Sequence, residues 1–347
     1  MTAHSIELTR RQALAGLGGV SVLALGGCAT IPRAPTGDVA ALLDDVAYNL
    51  LEHEPERATS LGVDTGVHAA LRSKLEDQSP RGQAAFAQTL RSDLARVRAV
   101  SEAGLDADTV TSLEVVESAY ATALDGFALP YGDVAVGSWR NAPYVVIQNV
   151  GTYLDMPRFL DSTQPLENVA DGEAYIARLE ALPGALDGEL ERMRSARGMG
   201  VVPPGFLLDK AIAAMEATLA DVREGGSWVA PLTRDAAKIG ATSAPRGKAL
   251  VTGPVRAALE RQLAELKTER AAAKDAAGMW AQPRGDEWYA WALRASTTTH
   301  LTPDQVHQQG LDELASLHAR MDPILRKIGY TTGSVGERMQ KLGDDPR

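Results

Sequence analysis

The chain has 347 residues, of which 45% are hydrophobic and 23% are charged, the balance of a soluble globular protein rather than a disordered one. Its 35 Lys and Arg residues against 45 Asp and Glu residues leave a formal net charge of −10. This charge argues against nucleic acid as a partner, because a surface that binds phosphate backbones is basic. The single cysteine excludes an intrachain disulfide, a cysteine-based zinc finger and a Cys-x-x-Cys redox pair.

The one cysteine, Cys28, follows a segment that is typical of an export signal. Arg10 and Arg11 precede an uncharged stretch, 13–27, which is shorter than the about 20 residues that cross a membrane as a helix. Paired arginines in this position are typical of a twin-arginine signal, and an ordinary positively charged start is the alternative. We predict that residues 1–27 are a signal peptide.

The sequence Leu-Gly-Gly before Cys28 resembles a bacterial lipobox, in which small residues give a peptidase access to the bond before a cysteine that is then acylated. The alternative for Cys28 is a small buried side chain, but the signal offers no core to bury it. Acyl chains anchor a protein to a membrane, and Ala29 resembles the pattern of Gram-negative lipoproteins that reach the outer membrane. We therefore expect a periplasmic protein, anchored to the outer membrane, with residues 28–37 as a Pro/Gly-containing tether.

Three amphipathic helices are predicted in the first part of the body that follows, 38–347. Asp38 is the expected N-cap of the first helix, and Ser79-Pro80 begins the second with a cap and a proline at the first helical position. The third carries apolar residues from Leu113 to Phe127. Because apolar side chains recur with a period of 3.6 on one face of each helix, we expect the three to pack as layers of one bundle.

The helical periodicity of apolar residues is interrupted over residues 130–165, which are rich in Gly and Pro. This segment is predicted to be a loop with one short extended piece at 144–147. Helical periodicity resumes at Tyr175. The pair Pro183-Gly184 lies inside this helix and is expected to kink or divide it, because proline removes a backbone hydrogen bond.

Two more helices are predicted after proline residues. Pro203-Pro204 begins the first, and Pro254 opens the second. Residues 224–254, between them, are rich in Gly, Ser and Pro and are predicted to be a long ordered connection.

The last strong helix begins at Thr302 with Gln305 three residues later, the spacing of a capping box, and is expected to stop at Gly329. Its apolar face carries Leu311, Leu314, His318, Met321, Leu325 and Ile328. On that face we expect His318 to be a core histidine. The chain is therefore predicted to be an all-α, multi-helix bundle with long Pro/Gly-rich connections.

The sequence lacks the common catalytic motifs. No two histidines have the His-Glu-x-x-His spacing that places two imidazoles on one helical face around a metal. His53-Glu54 begins such a motif, but Pro55 follows it. There is no Gly-x-Ser-x-Gly elbow and no phosphate-binding loop.

One segment carries a resemblance to a known family. The run Trp280–Arg294, the threonines Thr297–Thr299 and the sequence Thr-Pro-Asp-Gln-Val-His-Gln-Gln-Gly at 302–310 resemble the bacterial domain-of-unknown-function-885 family. That family has a Gly-x-x-Tyr/Trp-Tyr helix, a Thr-rich turn and a Thr-Pro-Glu/Asp-x-x-His-x-x-Gly helix start in this order. The resemblance extends from about residue 38 to residue 347.

The resemblance implies a mostly helical protein similar to zinc peptidases of the carboxypeptidase Taq and thimet-oligopeptidase type. In the family the presumed metal site is a His-Glu pair followed by Pro-Gly-His-His, well downstream of the Thr-Pro-Asp helix start, and this sequence ends before that region. A zinc site needs three protein ligands and an open position. We therefore expect an incomplete bundle, no catalytic residue and no zinc in this chain, with zinc only in a full-length family member.

Two functions remain open. The chain is either the N-terminal, cleft-forming half of a lipid-anchored zinc peptidase, inactive alone, or a non-catalytic helical lipoprotein that binds or scaffolds at the envelope. For the first, the candidates that line a peptide cleft are Trp288, Tyr289, Thr298, Thr299 and His307. The alternative is that the tryptophans and the tyrosine belong to the core.

Overall fold

A computed structural model describes residues 37–138 and 140–345. Arg10, Arg11 and Cys28 lie outside these residues, so the predicted signal and lipid anchor remain predictions. The described part is all-α, as predicted. It holds fourteen α-helices, and its β-structure is confined to two isolated bridges, Asp133 with Ala142 and Ile147 with Val150.

The helices follow one another in this order: α1 Gly37–His53, α2 Pro55–Leu61, α3 Pro80–Arg98, α4 Ala107–Phe127, α5 Thr152–Ser162, α6 Val169–Gly198, α7 Gly205–Asp221, α8 Gly226–Arg234, α9 Ala236–Ile239, α10 Ser243–Leu250, α11 Arg256–Ala272, α12 Gly285–Thr297, α13 Pro303–Lys327 and α14 Val335–Gly343. Short 3₁₀ helices cover Gly66–Ser73, Val222–Glu224 and Met279–Ala281, and a π-helical turn covers Val251–Val255.

The three helices predicted in the first part of the body are present and pack together as α1, α3 and α4. The Ser79 side chain accepts a hydrogen bond from the Gly82 backbone, as expected of an N-cap. Phe86 and Leu90 from α3 pack against apolar residues of α1 and α4. Tyr120 joins this cluster and donates a hydrogen bond to the Val46 carbonyl oxygen at 3.2 Å.

The main core surrounds α6, a 30-residue helix without an assigned break. A kink or a division at Pro183 was the expectation, and the helix is not divided there. Leu182 and Leu186, on either side of the proline, are fully buried. Tertiary packing on both sides therefore outweighs the backbone hydrogen bond that proline removes.

Two segments that were predicted to be connections contain helices, although residues 130–138 and 140–151 are the irregular chain that the sequence predicts. Within 130–165, α5 buries Tyr153, Met156 and Leu160, which share one helical face. Residues 224–254 contain α8, α9 and α10 rather than a connection, and Trp228 of α8 is fully buried. Burial of these faces outweighs the low helix propensity of the Gly and Pro residues around them.

Of the prolines predicted to open helices, Pro204 lies directly before its helix and Pro254 lies two residues before the regular helix that follows. Pro204 precedes α7 directly. Pro254 lies inside the π-helical turn, and the regular helix α11 begins two residues later. A π-turn is a frequent way to accommodate a residue that does not fit the regular ladder.

The C-terminal helices α13 and α14 differ from the rest because α13 packs mainly against α14. The capping box is present: Thr302 accepts from the Gln305 backbone while the Gln305 side chain accepts from the Thr302 backbone. Leu325 is buried, but Leu311 and Leu314 are about half exposed. His318 is exposed, so the expectation of a core histidine was wrong, because its face of the helix is not covered by described residues.

Among the described residues, no helix combines the length and the apolar character that a membrane crossing requires.

Candidate functional site

The two tryptophans near the start of α12 are buried. Trp288 is 5% exposed and packs edge-to-face on Trp291, with ring centroids 5.7 Å apart. The Trp291 indole donates a hydrogen bond to the Thr122 carbonyl oxygen at 2.8 Å. Both rings belong to a small cluster with Tyr131 and Val201. Trp288 thus has the position of a core residue, the alternative that the sequence had left open.

The other candidates from this segment do not converge on one point. Tyr289 is 49% exposed on the opposite side of α12 from the two buried tryptophans. His307 lies exposed in the second turn of α13. Neither lines the cavity to which the two threonines contribute.

Thr298 and Thr299 do line a cavity, of about 640 Å³, between α4, α12 and a loop that contributes Ala135, Gly137, Ser138 and Asn141. The backbone of Thr298 is left-handed, with φ 52°, a conformation that is a genuine outlier for a β-branched residue. Such strain is tolerated when the surroundings enforce it, and it clusters at functional sites. We call this space the threonine cavity.

Arg294 supplies the polar wall of the threonine cavity. One guanidinium nitrogen, Nη2, donates to the Asp125 carboxylate at 2.5 Å. Its Nε is buried and has no hydrogen-bond partner among the described residues. An unsatisfied buried donor costs about 1–3 kcal/mol.

A second cavity, of about 620 Å³, lies on the other side of the same loop. The two cavities share the wall residues Ala135, Gly137 and Ser138. Acidic residues outnumber basic ones in the lining of the second cavity, and we call it the acidic cavity. Its ionisable residues are Glu54, Glu56, Arg57, Glu76, Asp133, Arg140, Asp155 and Glu189.

Half of these carboxylates have a basic partner. The ion pairs are Arg57 with Glu54 at 2.8 Å, Arg140 with Asp155 at 3.2 Å, and Arg192, which stands next to the cavity, with Asp133 at 2.6 Å. Among the described residues, Glu56, Glu76 and Glu189 have no ion-pair partner.

Neutral donors hold two of the three remaining carboxylates. Glu56 accepts the Glu76 backbone N–H at 3.2 Å. Glu189 is 2% exposed and accepts from the Thr152 backbone and hydroxyl, both at 2.7 Å, and from the Gln262 amide at 2.8 Å. The Glu76 carboxylate has no hydrogen-bond partner within residues 37–138 and 140–345.

Burial raises the pKa of all three carboxyls. The pKa of Glu189 is raised to about 7 by burial, against the opposing effect of its hydrogen bonds from Thr152 and Gln262. The pKa of Glu76 is raised well above its usual range by burial and by repulsion from Asp133, Glu56 and Glu54. Burial likewise raises the pKa of Glu56. In each of the three carboxyls, burial outweighs the attraction of a nearby guanidinium group, that of Arg178 for Glu56 and that of Arg192 for Glu76 and Glu189.

The acidic cavity was missed by the sequence analysis, because its carboxylates come from five separate parts of the chain. One signal was available. Glu189 lies three residues after Leu186 and four before Met193, so it falls on the apolar stripe of α6. A carboxylate at such a position is either paired or functional.

The described residues do not fit a metal centre. Within 37–138 and 140–345, no group of three or more His, Cys, Asp or Glu side chains has the geometry to hold a metal ion. His300 lines the threonine cavity, while His307 and His318 lie on α13. We derive no catalytic step through zinc from these residues.

A sequence profile described as "Bacterial protein of unknown function (DUF885)" matches residues 55–347. The chain belongs to this family. The match includes both cavities apart from Glu54, as well as the threonine turn and the C-terminal helices. No protein with a curated description matches the chain significantly.

A solved structure is similar to the DUF885 chain over most of its length: "The crystal structure of the putative lipoprotein from Colwellia psychrerythraea". The TM-score is 0.80 at 23% sequence identity, and the match covers 89% of this chain and 54% of that protein. At this identity the likeness shows the fold. The DUF885 chain spans about half the length of the solved relative.

Proposed function

We propose that this DUF885 chain is the N-terminal, peptide-binding part of an exported, lipid-anchored protein of the bacterial envelope. The observation that carries the binding role is the pair of cavities, of about 640 and 620 Å³, on the two sides of one loop. Each has the size of an ordinary ligand site. Together they offer adjacent subsites to an extended chain.

The chemistry of the threonine cavity suits a peptide backbone. The guanidinium group of Arg294 donates hydrogen bonds, and the hydroxyls of Thr298 and Thr299 can both donate and accept. Trp291 contributes apolar surface. Alternating carbonyl and amide groups, with apolar side chains between them, complement this lining.

The envelope location rests on the sequence before the described residues. Arg10 and Arg11 support export by the twin-arginine route, and Cys28 supports acylation and anchoring. The words "putative lipoprotein" for the solved relative agree with this proposal. The proposed site is the periplasmic face of the outer membrane of a Gram-negative bacterium.

The peptidase activity that the family resemblance implies would need zinc ligands outside the described residues. The proposal for this chain is therefore confined to binding. Zinc chemistry is proposed only for a longer family member that carries the His-Glu and Pro-Gly-His-His sequences.

A second candidate function is scaffolding, and the uncovered face of α13 favours it. Leu311, Leu314, Leu317 and Ile324 are between 39% and 61% exposed on this helix. Contiguous exposed apolar side chains mark surfaces that contact other polypeptides. In this alternative the chain acts by holding a partner at the envelope, and its cavities bind no peptide.

Peptide binding to the full chain, purified from membranes in detergent, tests the proposal. The probe is a fluorescent pool of decapeptides that are acetylated and amidated at their ends and contain no Lys or Arg. Ser118 is an exposed residue on the α4 wall of the threonine cavity, and Ser118→Trp fills the cavity. We expect fluorescence anisotropy to show binding that weakens at least about tenfold in this variant.

Ser112→Trp is the matched control, because Ser112 is exposed on the same helix but does not line the cavity. It should leave the affinity unchanged. No binding of the pool, or equal affinity of the Ser118 and Ser112 variants, contradicts a peptide-binding role for this cavity and leaves scaffolding.

A further inference from the structure

One long side of α13 is largely uncovered by the described residues. The helix is 25 residues long and packs mainly against α14. All of its residues from His307 to Arg320 are exposed. Most of the stability of a helix in a protein comes from the packing of its apolar face rather than from the helix itself. An uncovered apolar side on so long a helix therefore indicates a missing partner.

The uncovered side carries a heptad pattern. Its apolar residues follow one another at intervals of three, four, three and four positions, and we call them the heptad stripe: Leu314, Leu317, Met321, Ile324 and Ile328. Met321 is half-buried, and the other four are between 39% and 61% exposed. This spacing is that of the core positions of a coiled coil, in which the apolar side chains of two helices interlock. The fitting occupant is therefore another amphipathic helix.

The helix α14 lies on the neighbouring side of α13 and leaves the heptad stripe free. Arg338 of α14 pairs with Asp322. Leu325, which lies one turn further along the same side of α13, is 2% exposed. Neither Asp322 nor Leu325 belongs to the heptad stripe, so a second helix can lie along the stripe without displacing α14.

Three charged residues, seven positions apart, flank the heptad stripe. Glu313, Arg320 and Lys327 each directly precede a stripe residue, which is a position at which coiled coils place the charges that set the orientation of the two helices. All three are exposed. The ion pairs of α13 within the described residues all involve Asp322, so the three flanking charges are available to a partner.

An antiparallel second copy fits the heptad stripe and these charges in one register. When Leu317 packs beside Met321 of the second copy, Glu313 lies beside Lys327 of the second copy, and the twofold symmetry of the pair repeats both contacts. A parallel pair would instead place each Glu313 level with the other Glu313. The charge pattern therefore favours a copy of this helix as the occupant and fixes its direction.

We propose that the heptad stripe of α13 binds a second copy of this chain, with the two α13 helices packed side by side in opposite directions. The inference goes beyond the proposed peptide binding and involves neither cavity. Arg320 lies near the twofold axis, so its two copies repel each other at the edge of the pair, where water and salt screen the charges. The apolar contacts and the two pairs of Glu313 with Lys327 stabilise the assembly against this repulsion.

The contact is weak, because a single pair of helices buries less than the about 1,200–2,000 Å² of a standard interface. In dilute solution the copies therefore separate, and the apolar side of α13 faces water. Two copies held on one membrane meet at a much higher effective concentration. If Cys28 is acylated as the sequence predicts, the membrane is where the pair forms.

Cross-linking of the full chain on membranes of the cells that express it tests the inference. Arg320→Cys places a thiol near the twofold axis, whereas Gln308→Cys places one roughly 35 Å along the helix from its counterpart in an antiparallel pair. Two differently tagged copies are expressed together and treated with bis-maleimidoethane. We expect a product that contains both tags for Arg320→Cys, and none for Gln308→Cys or for the unmodified chain, in which Cys28 is the one cysteine. A chain that fractionates as soluble is tested at about 0.5 mM, a concentration that populates weak pairs.

Charge reversal in the Arg320→Cys background tests the register. Glu313→Lys places a lysine beside Lys327 of the second copy and should reduce the cross-linked product at least about threefold. Adding Lys327→Glu should restore it. The two residues are 14 positions apart, about 21 Å along one helix, so restoration reports a contact between copies.

Asp312→Lys is the matched control for the charge reversal. Asp312 is an exposed neighbour of Glu313, and the helical period places it on the side of α13 away from the heptad stripe. This variant should leave the amount of cross-linked product unchanged.

No product with Arg320→Cys, an equal product with Gln308→Cys, equal losses in Glu313→Lys and Asp312→Lys, or no restoration by Lys327→Glu overturns the inference. A product that joins the chain to a different polypeptide in place of a second copy also overturns it. The decapeptide pool tests the threonine cavity, whose lining contains no residue of α13, so the proposed function and the present inference fail independently.

Discussion

The helices α6 and α13 have similar apolar patterns and opposite surroundings. Along α6, Leu182 and Leu186 are fully buried in the main core. Along α13, Leu311 and Leu314 recur at the same three- to four-residue spacing but are about half exposed. The comparison shows that amphipathic periodicity predicts that a helix has an apolar face, while the protein around the helix decides whether that face is covered.

The largest expected difference between the two regions is the cost of truncating a leucine. Leu186→Ala should destabilise the fold by about 2–5 kcal/mol, because the site is fully enclosed. Leu314→Ala on α13 should change stability by less than about 0.5 kcal/mol. Urea unfolding followed by circular dichroism measures both, and similar midpoint shifts for the two variants would show that α13 is covered in solution.

The contributions of the two helices to the stability of the fold should also depend on pH in opposite directions. The pKa of Glu189 in α6 is raised to about 7 by burial, so the unfolded chain ionises near pH 4.5 while the folded chain keeps the proton. Stability therefore falls as the pH rises from 4.5 to 7, by up to about 3 kcal/mol from this group. Glu189→Gln should flatten this slope in urea unfolding at a series of pH values.

Asp322 in α13 provides the contrast for this prediction. Hydrogen bonds from Arg326 and Arg338 lower its pKa to about 2, so its contribution is present above its ordinary value of 3.8 and is lost as the pH falls toward 2. Asp322→Asn should leave the slope between pH 4.5 and 7 unchanged. An unaltered slope in Glu189→Gln would show that Glu189 ionises normally in the folded chain.

The smallest expected effects come from a pair of glycines. A Cβ at Gly126 of α4 would stand 2.1 Å from the Trp291 ring, whereas nothing lies within 4 Å of a Cβ at Gly310 of α13. Gly126→Ala should destabilise by about 1–3 kcal/mol through overpacking. Gly310→Ala should stabilise by about 0.5–1 kcal/mol, because alanine is the better helix former.

Thermal unfolding of the two glycine variants measures these effects. Destabilisation by Gly310→Ala would reveal a close neighbour of α13 in solution. A neutral Gly126→Ala would indicate that the Trp291 ring can move away from α4.

Elements marked by local chemistry were predictable from the sequence. Ser79 and Thr302 cap their helices as expected, because a cap is a contact within one turn. The helices α5 and α8 were missed because Pro and Gly reduce their intrinsic propensity, and they form through burial of residues such as Tyr153 and Trp228. Such burial depends on distant parts of the chain, which local patterns do not report.

The residues of the candidate site likewise fall into those that a local motif predicts and those that only the fold brings together. Thr298 and Thr299 were found through a contiguous motif, and they line a cavity. The acidic cavity joins Glu54, Glu76 and Glu189, which are separated by 135 positions from first to last. Only the fold brings them together. The one sign of the cavity in the sequence is a carboxylate, Glu189, on the apolar face of α6.

The loop that separates the two cavities has a further consequence. Ala135, Gly137 and Ser138 belong to both walls, so an occupant that shifts them in one cavity changes the shape of the other. Thermodynamic linkage would make this effect reciprocal: whatever factor an occupant of one cavity imposes on the affinity of the other cavity is returned in full. In the proposed binding role, the common wall would therefore couple the occupancy of one cavity to the affinity of the other.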